Sequence, residues 1–196
     1  MNLQKTIAVL TFTIFACSTF AQKISVEEGK TSALSGINEV TIQYDFSEIS
    51  VGKFDNEQDY LDHRSAEMNE EEAEKGDKWV EDWHKDKEEK FPKRFEELFS
   101  KYSDNISISE GEADVVMIVK TTFIEPGFNV GVMRRPSLVD LTITFKKGEE
   151  TLAVITINDA PGNAAAGYDF DAGLRIQESY AKAGKEFGKF LTKKVK

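Results

Sequence analysis

The chain has little of several residue types on which whole classes of protein depend. Its 196 residues include one cysteine, two histidines and four prolines. A single cysteine excludes a disulfide framework, a CxxC redox pair and a zinc site built from cysteines. Basic residues are also scarce, 25 against 35 acidic ones, for a net charge of -10. Nucleic acids and anionic membranes are therefore disfavoured as partners, because phosphate recognition needs a basic surface.

The one extended apolar run lies at the front of the chain. Residues 7–15 are mostly apolar, follow a single positive charge at Lys5, and lead into Ala16-Cys17-Ser18-Thr19-Phe20-Ala21. This arrangement is typical of a secretory signal peptide. The run is too short to cross a bilayer, which takes about 20 residues. We therefore predict a signal peptide over 1–21 and an exported protein, periplasmic or secreted, with no transmembrane span.

Two cleavage sites compete in this segment. Cleavage after Ala21 follows the common small-residue rule and makes Gln22 the first residue. Alternatively, Ile14-Phe15-Ala16-Cys17 resembles a lipobox, in which Cys17 carries a lipid anchor and the product is an outer-membrane lipoprotein. The bulky Phe15 departs from that pattern. We favour cleavage after Ala21.

The rest of the chain divides by composition and periodicity. Residues 22–36 are polar and predict a flexible leader, and 37–196 predict a single α+β domain. Within it, an acidic, lysine-rich stretch at about 55–103 predicts a helical insert, and alternating apolar residues predict strands. Expected strands lie at 40–46, with an extension past a bend at 48–54, and at 106–108, 115–125, 138–146 and 152–157, before a last helix at about 172–192.

These elements predict a two-layer fold with a mixed five-stranded sheet and helices mainly on one face. The long helical crossover predicts that the first two strands are parallel, and short turns predict an antiparallel meander for the last four. Gly184 and Gly188 lie four apart in the last helix and predict a close approach of that helix to the sheet. Trp79 and Trp83 also lie four apart, which favours packing between elements over a ligand box.

Several segments resemble a known group of proteins. The relevant stretches are Ala113-Asp114-Val115-Val116-Met117-Ile118-Val119, Leu141-Thr142-Ile143-Thr144-Phe145, and Ala153-Val154-Ile155-Thr156-Ile157 before a Gly/Ala-rich loop and an amphipathic helix. Residues 104–192 resemble the α/β domain of small exported lipoproteins of unknown function from Gram-negative bacteria. They are more distantly similar to the curli-secretion-channel lipoprotein and the N-terminal domain of the translocation protein TolB. The resemblance implies an envelope protein that acts through contacts. The acidic insert departs from it.

Two glycine-containing loops are the candidate interaction sites. Loops 126–137 and 159–172 are predicted to leave the same end of the sheet, and loops on a rigid scaffold often carry binding residues. The candidates are Phe128, Arg134, Arg135, Tyr168, Asp169 and Phe170. On one hypothesis the arginines engage a partner's carboxylate. On the other, which we favour, they pair with aspartates of the facing loop and tie the two loops together.

No motif indicates catalysis or a cofactor. Asp169-Phe170-Asp171 resembles the opening of a calcium loop, but the later ligands are missing, so Asp171 is expected to cap the last helix. His63 and His84 lack metal-site spacing, and we predict neither a metal nor a cofactor.

The functional prediction is a non-enzymatic, exported cell-envelope protein that acts through protein or envelope contacts. An alternative is a periplasmic carrier of a small apolar or anionic ligand, which requires a cavity of about 300 Å³ or more. A hydrolase is a third possibility, for which the sequence nominates no residues.

Overall fold

The structure, a computed structural model, describes residues 22–162 and 171–195, which form an α+β protein with a mixed sheet. The strands are β1 (Lys23–Gly29), β2 (Glu39–Asp45), β3 (Ser50–Val51), β4 (Ser107–Ile108), β5 (Val116–Glu125), β6 (Phe128–Asn129), β7 (Arg134–Arg135), β8 (Ser137–Lys147) and β9 (Glu150–Gly162). The helices are α1 (Glu57–Glu71), α2 (Lys75–Lys85), a π-helical turn (Asp86–Lys90), α3 (Phe91–Tyr102) and α4 (Ala172–Lys194), with a 3-10 turn at Thr31–Leu34.

The main sheet has seven strands in the order β1-β9-β8-β5-β2-β4, with β3 also beside β5. Strands β5, β8 and β9 form an antiparallel meander, whereas β2 and β3 run parallel to β5. The prediction of five strands is therefore wrong, because β1 was not expected as a strand and β3, expected only as an extension of the first strand past a bend, is a separate strand. Strand β3 continues the line of β2 after a bend, pairing with the later residues of β5.

The parallel arrangement of the first two expected strands is confirmed, since β2 pairs with β4 in parallel. The meander of four strands is wrong, because β4 lies on the far side of β2 from β5. The chain between β4 and β5 crosses the start of β2. There the Thr41 hydroxyl donates to the Gly111 carbonyl at 3.1 Å and accepts from the Ala113 N–H at 2.8 Å.

The segment expected to be a flexible leader contains β1, which pairs antiparallel with β9 at the edge of the sheet. Ile24 lies opposite Ile157, and Val26 opposite Ile155. Without β1, the outer side of β9 would present a row of unpaired backbone groups. The two alternating apolar residues of β1 are too few to predict a strand by themselves, and the open edge of β9 supplies the pairing.

Helices α3 and α4 pack together against the sheet through aromatic side chains. Phe95 and Phe99 on α3 lie 6.4 and 5.8 Å, ring to ring, from Phe187 on α4, and Phe187 lies 6.3 Å from Phe145 on β8. All four are fully buried. Burying each such side chain contributes about 1.5–3 kcal/mol.

Two glycines of α4 make its contact with α3 close. A Cβ at Gly184 would lie 2.2 Å from the Phe95 carbonyl oxygen, and one at Gly188 would lie 2.9 Å from the Phe99 carbonyl oxygen. The expectation that these glycines face the sheet is therefore wrong. They face the backbone of the neighbouring helix, which the spacing alone does not distinguish.

Within the predicted insert at about 55–103, α1 and α2 form an antiparallel pair, whereas α3 packs with α4. We call α1 and α2 the insert. The Asn56 side chain caps α1 by accepting the Asp59 N–H at 2.9 Å. Near the other end of the pair, a Cβ at Gly76 would lie 2.1 Å from the Ser65 carbonyl oxygen, so glycine allows the two helices to touch.

Candidate functional site

The candidate residues of loop 126–137 lie on a small hairpin. Phe128 pairs with Arg135, and Asn129 with Arg134, so that β6 and β7 form a two-stranded sheet of their own. Gly131 closes the turn with a positive φ of 78°, a conformation that favours glycine. The other three candidates, Tyr168, Asp169 and Phe170, lie outside the described residues. We call the segment 128–135 the hairpin.

The hairpin carries four of the five large hydrophobic residues that are exposed in the described part of the chain. The exposed fractions are 41% for Phe128, 60% for Val130, 93% for Val132 and 62% for Met133. The other large hydrophobic residue that is exposed there is Val26, at 40%. Single exposed apolar residues are ordinary, but four in one turn form a patch of the kind found at interaction sites.

The two arginines border this patch and are both exposed. Arg135 Nη1 lies 3.5 Å from Glu125 Oε2, at the end of the strand that leads into the hairpin. The hypothesis that both arginines pair with aspartates of the facing loop stays a prediction, because much of that loop lies outside the described residues.

Arg175, which the sequence analysis did not select, anchors the base of the hairpin. Its side chain projects from the first turn of α4 and is 5% exposed. Its Nε donates to the Pro126 carbonyl at 3.0 Å and its Nη2 to the Gly127 carbonyl at 3.3 Å. Gly127 has a φ of 63°, and a Cβ there would lie 2.4 Å from the Arg135 carbonyl oxygen. The hairpin therefore leaves the sheet from a rigid base.

A cleft of about 830 Å³ lies between the hairpin and the helical insert. One wall comes from α1, α2 and the turn before α1, and the opposite wall from residues 125–130. The start of α4 and the π-helical turn complete its lining. These segments are far apart in sequence, and the cleft exists only because the fold brings them together.

Four aromatic rings form one wall of the cleft. Tyr60 is central, with ring centroids 5.7 Å from Phe54, 5.7 Å from Trp79 and 5.4 Å from Trp83. Trp83 is buried and donates its indole N–H to Glu57 Oε1 at 2.8 Å, whereas Trp79 is half-buried. Packing of the two tryptophans is confirmed, and both also line the cleft.

The hydroxyl of Tyr60 lies in a charged setting. Burial raises its pKa to about 12, and the nearby positive charges of Arg64 and Arg175 oppose that rise. Within the described part of the chain, no group hydrogen-bonds this hydroxyl. A phenol at this pKa stays protonated at neutral pH and is available as a donor.

An ion pair lies in the lining of the cleft beside the start of α4. Asp86 is 5% exposed and pairs with Lys90 at 2.6 Å. Burial raises the pKa of Asp86, and the interaction with Lys90 opposes that rise. Gly173 makes room for this carboxylate, since a Cβ there would lie 1.8 Å from Asp86 Oδ2. The predicted cap is confirmed, because Asp171 Oδ1 accepts the Gly173 N–H at 2.7 Å.

Two features of the described residues bear on metal and membrane binding. Across residues 22–162 and 171–195, there is no group of three or more His, Cys, Asp or Glu side chains placed to hold a metal ion. In the same residues, no helix combines the length and the apolar character needed to span a membrane.

Comparisons with known proteins assign no family to the chain. No protein-family model matches it, and neither a curated protein nor a solved structure matches it at a significant level. The resemblance to exported lipoproteins therefore stays a prediction, and a proposal for function has to rest on the geometry of the hairpin and the cleft.

Proposed function

We propose that this protein is an exported, non-enzymatic protein of the cell envelope that acts by binding a partner protein through the hairpin. The observation that carries the proposal is the exposed patch of Val130, Val132 and Met133 on a rigidly based turn. In water such a patch is unfavourable, and burying it against a partner recovers hydrophobic free energy. Arg134 and Arg135 at its border favour a partner with carboxylates around an apolar surface.

The test is site-specific photo-crosslinking in cells. A photoreactive residue at position 132 is expected to give a discrete adduct of higher mass, whereas one at the exposed position Ser100 on α3 is not. The substitution Val132→Asp should reduce co-purification of the adduct's partner, and Ser100→Asp, which adds the same charge elsewhere, should not. Equal labelling at the two positions would refute the proposal.

Export is tested separately, by the intact mass and N-terminus of the mature product made in a Gram-negative host. Because β1 begins at Lys23, cleavage after Ala21 would leave Gln22 alone before the sheet. Acylation at Cys17 would leave only residues 18–22 as a tether, spanning at most about 18 Å. An uncleaved chain that stays in the cytoplasm contradicts both export and an envelope role.

A second candidate function is carriage of a small ligand in the cleft, and the volume of the cleft favours it. The cleft measures about 830 Å³, within the range of about 300–1,000 Å³ for ligand sites.

We infer a two-layer domain with the helices mainly on one face, so that the insert and the hairpin together make a pocket at one end. Isothermal titration with small-molecule probes tests this function without reference to the hairpin's partner.

A further inference from the structure

We propose that the cleft between the insert and the hairpin binds a small organic anion with an aromatic or other flat apolar body. This inference rests on the second function above and names its ligand class. The anionic group is received by Tyr60 and Arg64, and the apolar body lies along Trp79 and Phe54.

The wall combines an apolar surface with positive charge. Tyr60 and Arg64 are one helical turn apart on α1 and therefore share a face. Both line the cleft, as do Trp79 and Phe54. Lys53 Nζ lies 5.3 Å from the centroid of the Phe54 ring, which adds a second cation to the same wall. A flat apolar ligand on these rings would therefore place an acidic group within reach of two cations.

The Tyr60 hydroxyl and the Arg64 guanidinium on this wall are available to donate hydrogen bonds to a ligand. No group in the described residues hydrogen-bonds the Tyr60 hydroxyl. Arg64 Nη1 contacts Glu67 Oε2 at 2.9 Å, but these side chains are 48% and 50% exposed. An exposed pair of this kind is worth little, so a ligand's anion competes with Glu67 at small cost. Hydrogen bonds from a guanidinium and a phenol to an anion are stronger than neutral ones.

Three of the carboxylates that line the cleft already have partners. Asp86 pairs with Lys90 at 2.6 Å, Glu125 Oε1 accepts the Gly127 N–H at 3.1 Å, and Asp171 caps α4. These acids are therefore poor ligands for a cation. At physiological salt, charges more than about 8 Å apart are screened at the surface. The net charge of -10 therefore opposes anion binding only weakly, and the nearby cations Arg64 and Lys53 favour it more strongly.

The test uses two fluorescent probes that differ in a single charged group. Anilinonaphthalene sulfonate has the aromatic body and an anion, and N-phenylnaphthylamine has the same rings without the sulfonate. The chain has two tryptophans, Trp79 and Trp83, and both line the cleft. Quenching of tryptophan emission on titration therefore reports on this part of the molecule. We expect the sulfonate to bind about tenfold tighter than the neutral probe, the effect of one charge-assisted hydrogen bond.

Variants separate the ligand class from nonspecific adsorption. Arg64→Gln and Tyr60→Phe should each weaken the sulfonate about tenfold and leave the neutral probe unchanged. Lys78→Gln removes the same charge from an exposed site on α2 and should change neither. Asp82→Asn, at an exposed position in the lining, should leave the sulfonate's affinity equal or higher. Unchanged melting temperatures establish that the variants are folded.

The outcomes distinguish two failures. If the two probes bind equally and Arg64→Gln has no effect, the anionic class is refuted while carriage of an apolar ligand stands. If Asp82→Asn weakens binding of the sulfonate, the positive charge of the cleft does not select the ligand and the inference is overturned. If neither probe quenches the tryptophans, the cleft binds no ligand of this size, and the second function fails with it.

Discussion

The close contact between α3 and α4 predicts that replacing a glycine of α4 by alanine lowers the stability of the protein, which is the opposite of its effect in an exposed helix. In an exposed helix, replacing glycine by alanine stabilises by about 1 kcal/mol, because alanine restricts the unfolded chain and favours the helix. At Gly184 the added methyl would lie 2.2 Å from the carbonyl oxygen of Phe95. An ordinary carbon–oxygen contact is about 3.3 Å or more. The two helices must therefore separate by about 1 Å to accommodate it.

The Phe95 carbonyl oxygen belongs to the backbone and cannot move away by changing a rotamer. The loss of stability should therefore lie toward the upper end of the about 1–3 kcal/mol found for overpacking. After subtracting the helix-propensity gain, we expect Gly184→Ala to lower the free energy of unfolding by about 2 kcal/mol. For a domain of this size, that corresponds to a melting temperature lower by about 4–8 °C.

Urea and thermal unfolding, followed by circular dichroism, measure this change. Gly111→Ala is the matched control, because no atom lies within 4 Å of its added Cβ and its φ is not in the left-handed region. It should leave stability unchanged or raise it by up to about 1 kcal/mol. A Gly184→Ala protein as stable as the wild type would refute the close helix contact.

Three further predictions concern buried and capping polar groups. Tyr180→Phe should lower the free energy of unfolding, measured in urea, by about 1–3 kcal/mol, because it leaves the buried Thr121 hydroxyl, 2.6 Å away, without a partner. Adding Thr121→Val should recover part of this loss, and no recovery would contradict the pairing. Asp171→Ala should cost about 0.5–2 kcal/mol by removing the cap of α4, and Asp171→Asn much less, in thermal melts. Burial raises the folded-state pKa of Asp86 above its unfolded value of about 4, so its protonated form favours folding, and the contribution of this group to the free energy of unfolding is lost as pH rises through the folded-state pKa. The melting temperature of Asp86→Asn relative to wild type should therefore increase between pH 4 and neutrality, and a flat difference would contradict this.

Local sequence patterns predict some of the strands and not others. Strand β8 was predicted from its period of two, and β5 from a continuous apolar run typical of a central strand. Strand β1 has the same period over only Ile24 and Val26 and becomes a strand because β9 offers an open edge. The position of β4 beyond β2 likewise depends on a chain crossing held by Thr41, not on the short segment 109–114 itself.

The candidate site was predicted in part. The hairpin residues Phe128, Arg134 and Arg135 follow from a loop placed by the strand order. Arg175 was missed, although a charged residue beside Ile176 in the apolar stripe of α4 is a signal that a buried partner exists. The helical spacing of Tyr60 and Arg64 is visible in the sequence, but nothing local indicates what faces them.

By itself, the sequence determined the α+β class, the antiparallel order of β5, β8 and β9, the capped start of α4 at Asp171, and the loop that carries the hairpin. Each of these depends on interactions between residues close in the chain or on a periodicity of one segment. Only the tertiary structure decided the seven-stranded sheet, the contact of Gly184 with α3, and the cleft. Those features join segments up to about 135 residues apart, since Lys23 pairs with Asn158. Their free energy comes from burial and pairing between surfaces that no single segment contains.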